Sequence, residues 1–262
     1  MRLFQIVIIS GFLFIISCTN ESVDSNVDPR SDSEIVIDSA IVYHGGARYS
    51  NSEIHFGFRD KQYSVSSTGS SFVYSSSHTD SLGRHERKLA NIGFESFLNG
   101  DRLKLSAKDS AAQAGSLNSV VYFALLPSLL KDEAVKQEID GEENIKGKDY
   151  YRIKVTFSED GGGSDYDDVY LYWFDKEDYS MDYLAYSFHV NEGGSRFRAA
   201  YNSRRINGII FQDYENYKGP APDSLKFIGD MYMAEQQLPL LSRIELNRIA
   251  VIEKPVSISE LK

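Results

Sequence analysis

Two different hydrophobic periods run through this chain. After a polar stretch over 19–33, Val36, Ile37, Ala40, Ile41 and Tyr43 recur on one face of a helix. Ser31-x-x-Glu34 has the spacing of a capping box, in which a serine hydroxyl and a glutamate carboxylate each accept a free backbone N–H, so order should begin at Ser31. Gly45-Gly46 should end this helix, since glycine takes the left-handed cap conformation without a Cβ clash. From Glu53 the period falls to two. Ile54, Phe56 and Phe58 alternate with His55, Gly57 and Arg59, and Tyr63 and Val65 follow the turn Arg59-Asp60-Lys61, which is a hairpin pattern.

Residues 72–75, 93–97 and 102–105 repeat that pattern between Gly, Asn and Asp turns such as Asn99-Gly100-Asp101. Over 150–157, Tyr151, Ile153, Val155 and Phe157 form one face and Arg152, Lys154 and Thr156 the other, as in a sheet with one dry and one wet side. Residues 169–174 are apolar or aromatic on both faces and predict a central strand covered twice. Residues 181–190, 195–201, 206–211 and 244–251 bring the meander to roughly ten strands. In the last, Ile244 and Leu246 share a face while Ile249 and Val251 fall out of phase, so a bulge is expected near Asn247. Two helices interrupt the strands. One, over 119–126, is apolar nearly all round, stops at Pro127 and should be buried on most sides. The other, over 223–234, is capped by Asp223 behind Pro222 and carries Leu225, Phe227, Ile228 and Met231.

A long twisted sheet curls, and an apolar helix can fill its hollow. The predicted fold is therefore α+β and mostly β: a curved antiparallel sheet or unclosed barrel, with the N-terminal helix and two further helices in or over its concave face. At the same residues a resemblance appears. His44-Gly45-Gly46, Asn91-Ile92-Gly93-Phe94, the run from Asn118 to Phe123 before Leu126-Pro127, Gly161-Gly162-Gly163 and Asp182-Tyr183-Leu184-Ala185-Tyr186 resemble an uncharacterised family of Bacteroidota envelope lipoproteins. That family is similar in architecture to the LolA/LolB lipoprotein carriers, which implies a hydrophobic cavity lidded by helices. LolB-like proteins also expose an apolar loop tip, and here the 161–168 loop offers only Tyr166. Some members carry a deoxyribose-phosphate aldolase label, which implies a barrel of alternating strands and helices with a Schiff-base lysine; this sequence has no such alternation.

Cys18, the only cysteine, adds a location. It stands behind Arg2 and a short apolar run ending Ile15-Ile16-Ser17, the pattern of a bacterial lipoprotein signal. Residues 1–17 are then a cleaved signal, 18–33 an acylated tether reaching on the order of 20 Å, and 34–262 one globular domain. Acyl chains on Cys18, palmitate among them, would hold the protein on a membrane at about 0.8 kcal/mol per buried methylene. Thr19 behind Cys18 is not the aspartate that resembles a retention signal, and Glu21 and Asp24 are too sparse to resemble a surface-export signal, so the expectation is the outer membrane with the domain in the periplasm. The net charge of −10 repels phosphate backbones, so nucleic acid is not an expected partner.

Seventeen Tyr, 15 Phe and Trp173 can line a ligand site or simply pack a sheet. A cavity would be lined by Phe56, Phe58, Val121, Leu125, Tyr151, Ile153, Val155, Trp173, Tyr183 and Phe197. The acidic loop 161–168 reads as a solvated hairpin rather than a calcium site. His44, His55, His78, His85 and His189 lack paired helical spacing, so no metal and no cofactor is expected. Residues 83–88 are locally basic and read as a mixed surface turn, although they could receive a carboxylate or headgroup, as could Arg196 and Arg198. No nucleophile elbow, phosphate loop or free thiol supports catalysis. The expectation is a membrane-anchored, non-enzymatic protein binding an apolar or amphipathic ligand, a lipid or acylated chain. Its rivals are an envelope scaffold binding another protein and, behind that, an enzyme.

Overall fold

A computed structural model describes residues 31–158, 168–188, 193–234 and 238–255. Cys18, the signal and tether up to residue 30, residues 161–167 of the acidic loop and His189 lie outside the described residues. The chain opens with α1 (Asp32–His44), whose N-cap Ser31 forms the expected capping box: the Ser31 N–H donates to Glu34 Oε2 at 2.6 Å and the Glu34 N–H to Ser31 Oγ at 3.4 Å. The helix ends at Gly45, and Gly46 follows at φ +57°. A single turn, α2 (Arg48–Asn51), leads into the strands.

β1 (Ser52–Phe58), β2 (Lys61–Thr68), β3 (Ser71–Asp80), β4 (Gly83–Ala90), β5 (Gly93–Leu98) and β6 (Asp101–Arg102) form an antiparallel meander. After α3 (Ala107–Ala124) and a 3-10 turn at Ser128–Lys131, a second meander follows: β7 (Val135–Ile145), β8 (Lys148–Phe157), β9 (Tyr170–Asp175), β10 (Met181–Phe188), β11 (Gly194–Ile206), β12 (Ile209–Lys218) and β13 (Leu240–Ile244). Between β12 and β13 the chain makes a 3-10 turn, Pro222–Phe227, and α4 (Ile228–Met233). β14 (Leu246–Glu253) then returns to pair with β1, giving two unclosed seven-stranded sheets. The expected class and openness hold.

The cores follow from strand parity. In β9, Tyr170, Tyr172 and Phe174 face inward against Val36, Ile37 and Ala40 of α1, while Leu171 and Trp173 face outward against Leu225 and Ile228. All six β9 residues are buried, as their double-sided apolarity requires. A separate cluster joins Leu117 and Val121 of α3 to Ile54, Phe56, Tyr63, Val65 and Tyr74 of the first sheet.

Several elements differ from expectation. Residues 83–88 are not a surface turn but most of β4, paired on both sides; a strand between two neighbours needs only backbone bonds, so a wet face tolerates Arg84, Glu86 and Lys88. β7 carries polar residues on both faces and showed no apolar alternation. The helix expected at 119–126 starts at Ala107, because its first turns are alanine-rich without an apolar stripe; only Leu117 and Val121 within it are fully buried. The expected strands at 195–201 and 206–211 are longer and meet at Asn207-Gly208, a hairpin turn with φ of 43° and 86°. The helix expected over 223–234 is split between the 3-10 turn and α4, and Asp223 caps neither. The last strand is also two. Ile244 and Leu246 belong to different sheets, joined through Glu245, whereas the bulge near Asn247 is present as a register shift opposite Phe56.

Candidate ligand-binding cleft

α3 lies between the two sheets, with Val121 turned to the first and Tyr122 and Phe123 to the second. Tyr122 Oη is 2.7 Å from Tyr172 Oη, and the Phe123 ring centroid is 5.3 Å from that of Tyr186. Together α1, α3, Leu126 and Leu130 fill most of the hollow. What remains is a cleft of about 230 Å³ beside α3, near the crossing from β13 to β14. Its apolar wall is Phe58, Val120, Phe123, Ala124, Ile244 and Leu246. Its polar wall comes from β11 and β12, as Arg198, Gln212, Tyr214 and Asn216.

Alternation explains how an arginine reaches this position. Phe197 and Ala199 take the outer face of β11, so Arg198 between them points inward, where it is 8% exposed. Its guanidinium carbon sits 3.9 Å from the Phe123 ring centroid, and its Nη2 donates to Tyr186 Oη at 3.1 Å. Its Nε is buried without a partner, and among the described residues no carboxylate forms an ion pair with it. Gln212 Nε2 donates to Met181 O at 2.9 Å and to Tyr214 Oη at 3.2 Å. Burial pushes the Tyr214 hydroxyl up to about 12, so it stays protonated. Asn216 Nδ2 donates to Ser242 Oγ at 3.2 Å, and its Oδ1 is buried unpartnered.

The ten residues expected to line a cavity are divided. Phe58 lines the cleft. Phe56, Val121 and Leu125 pack in the core of the first sheet, and Ile153 and Val155, flanked by Tyr151, pack under α1. Trp173, Tyr183 and Phe197 occupy the outer face of the second sheet with Leu225, Ile228 and Tyr232. Alternation gives which residues share a side but not which side is inner, and this is why outer-face aromatics entered the expected lining. Of the polar lining, only Arg198 was singled out from sequence. Gln212, Tyr214 and Asn216 carry the same alternating signal, in a stretch of β12 that the sequence reading left out.

Two other places were weighed. A wider depression of about 400 Å³ at the open edge of the first sheet sets Phe94, Leu103 and Leu105 among Glu95, Arg102 and Lys104, and none of its polar side chains is a buried group without a partner. His78 and His85, whose spacing along the chain gave no metal pattern, are direct cross-strand partners with stacked rings 4.7 Å apart, and with Asp80 they place possible ligand atoms within 4.8 Å of one another. Asp80 is already engaged there by the Leu82 N–H at 2.8 Å and His85 Nε2 at 3.1 Å, and Arg84 and Arg248 line the same depression, so its charge does not favour a cation.

Among the described residues no helix is long and apolar enough to cross a membrane. No curated protein matches the chain. Among solved structures it is similar to a DUF1329 family protein from Desulfovibrio piger, with a TM-score of 0.51 and 12% identity over 89% of this chain and 98% of that one. It also aligns with a LolA superfamily protein from Nitrosomonas europaea, with a TM-score of 0.48 and 11% identity over 86% and 96%. At such identity the first similarity concerns the fold alone. The sequence itself supplies the assignment: residues 10–238 match DUF6503, a family of unknown function, and the chain belongs to it.

Proposed function

We propose that this protein is a lipid-anchored envelope protein that holds one acyl chain of an apolar or amphipathic ligand in the cleft beside α3. The carrying observation is the cleft itself, with apolar residues on one wall and buried polar groups on the other. Its 230 Å³ falls below the roughly 300–1,000 Å³ of pockets for drug-sized ligands, so it suits part of one chain rather than a multiply acylated lipid. Each Å² of chain taken from water contributes about 25 cal/mol, enough for a partial chain to be retained. Envelope location, outer-membrane anchoring through Cys18, a signal over 1–17, a tether over 18–33 and a domain over 34–262 belong to the same proposal, as does an origin among Bacteroidota. The anchor, signal and location rest on the sequence pattern around Cys18, and the origin on the family resemblance of motifs such as His44-Gly45-Gly46 and Asp182-Tyr183-Leu184.

Native mass spectrometry of the full chain released from detergent tests ligand holding. Acyl-chain adducts, or uptake on titration with a fatty acid, are expected; a bare protein mass throughout overturns the reading. Metabolic labelling with an alkynyl palmitate tests the anchor. Incorporation that persists in Cys18→Ser would remove it.

A further inference from the structure

We infer that the cleft is a receptor for a single-chain anionic amphiphile, its carboxylate or phosphate headgroup held on the Arg198 guanidinium and its chain laid against Phe58, Phe123, Ile244 and Leu246. The inference rests on reading the cleft as a ligand site and names the chemistry of what enters it. A cation taken out of water is costly unless paired, and buried arginines ordinarily meet a carboxylate. Arg198 meets a tyrosine hydroxyl and an aromatic face instead, and its Nε has no acceptor. The stack on Phe123 uses the flat face of the guanidinium. On the edge of the fork Nε has no acceptor, while Nη2 beside it donates to Tyr186 Oη; a planar carboxylate or a phosphate docks through two parallel N–H bonds of this kind and would share Nη2 with that hydroxyl.

The neighbours agree with that geometry. Phe123 is shared, since its ring both carries the guanidinium and lines the apolar wall, so a headgroup on Arg198 sets its chain against Phe58, Val120 and Leu246 without a gap. The unpartnered atom of Asn216 in the same cleft is Oδ1, an acceptor that gives an anion no hydrogen bond, so Arg198 is left as the donor to the headgroup. The net charge of −10 gives no long-range attraction for anions. Selectivity must therefore arise from the cations that line the cleft, the buried Arg198 and the exposed Arg59, at distances shorter than the screening length.

The test compares dodecanoate, dodecyl phosphate and dodecanol by isothermal titration calorimetry on the full chain in a nonionic detergent, each corrected for titration into detergent alone. At least one anion should bind about tenfold more tightly than dodecanol, the size of one charge-assisted hydrogen bond, and whichever binds better identifies the headgroup. Arg198→Met should abolish that preference, so that the better anion binds no more tightly than dodecanol, while Arg198→Lys, keeping charge without the planar fork, should retain part of it. Equal binding of all three by the wild-type chain overturns the headgroup inference and leaves the cleft a neutral chain site. Absence of binding by any of the three removes the cleft reading as well. The wild-type comparison decides the matter even where Arg198→Met does not fold.

Discussion

At the end of α1 the imidazole of His44 accepts the Met181 N–H on Nε2 at 3.1 Å, while its Nδ1 is buried without a partner. Protonation would turn Nε2 into a donor facing another donor. Burial first, and the nearby Arg205 second, depress its pKa from 6.5 to about 4. Above pH 6.5 the group is neutral in both folded and unfolded chains and costs nothing. Between 6.5 and about 4 the unfolded chain takes up a proton that the fold refuses, so stability falls with pH; below about 4 both states are charged and this loss is complete. One pKa unit is worth about 1.4 kcal/mol, so the full loss is about 3 kcal/mol. Urea unfolding of the wild-type chain should show a falling midpoint from pH 6.5 to 4.5. His44→Gln, which keeps an acceptor but does not titrate, should flatten that slope, with His78→Gln as the control for the other depressed histidine. An unchanged slope in His44→Gln would mean that the imidazole does not control acid stability. A second residue-scale prediction concerns Gly208, whose φ of +86° is left-handed and whose added Cβ would approach Arg48 Nε to 2.4 Å. Gly208→Ala should lower stability by about 1–2 kcal/mol in thermal or urea unfolding.

Among the elements, the joint between the sheets rests on a few polar bonds. Asp213 of β12, only 3% exposed, receives the β14 Leu246 N–H at 2.9 Å and Arg204 Nη2 at 3.0 Å on Oδ1, and Asn202 Nδ2 at 2.6 Å on Oδ2. Arg204 Nη2 reaches on to Leu246 O at 2.7 Å. Asp213→Ala would leave the Leu246 N–H buried and Arg204 without its partner. The expected loss is about 2–3 kcal/mol, below the 3–5 of a fully buried pair because Arg204 keeps some water, and urea unfolding would measure it. None of this joint was legible in the chain. Period-two alternation recovered β1, β8 and β9 because each buries an apolar face, and the capping box at Ser31 fixed the start of α1 because it is a local contact. β4 and β7 have no apolar face to betray them, and the first turns of α3 carry alanine without a stripe. Crossing between sheets at Glu245 is a tertiary event, with no period of its own. The cleft was legible in the same partial way. Arg196 and Arg198 alike could receive a headgroup by sequence, and that Arg198 is the one in the cleft depends on which face the helices cover, which is decided by residues far away in sequence.

For the molecule as a whole, the fit between the cleft and a chain depends on α3. A pocket of about 230 Å³ encloses part of one chain, so a longer chain must displace something, and α3 is the loosest wall. The opposite wall is pinned by backbone bonds on both sides of β11 and β12, whereas α3 holds on by side chains alone: Leu117 and Val121 are buried, Tyr122 is bonded to Tyr172, and Phe123 lies against Tyr186 and Arg198. Burying two such aliphatic side chains contributes about 1.5–3 kcal/mol each, an amount that burial of a chain at 25 cal/mol per Å² can offset. Hydrogen exchange should therefore find α3 amides opening well below the free energy of global unfolding, while β8–β10 exchange only by global unfolding. Addition of an amphiphile that fills the cleft should slow exchange in α3 around Val120–Ala124 and on the facing strands β11 and β12, and leave β3 and β4 unchanged. Leu117→Ala should speed α3 exchange further without altering that of β9, because it removes one of the two buried side chains of α3, one that belongs to a different core cluster from the inward face of β9. If α3 proves as slow as β9, and no amphiphile changes either, the helix is a fixed part of the core. The cleft would then be too small and too rigid to take a chain, and whatever the protein binds would have to meet its surface.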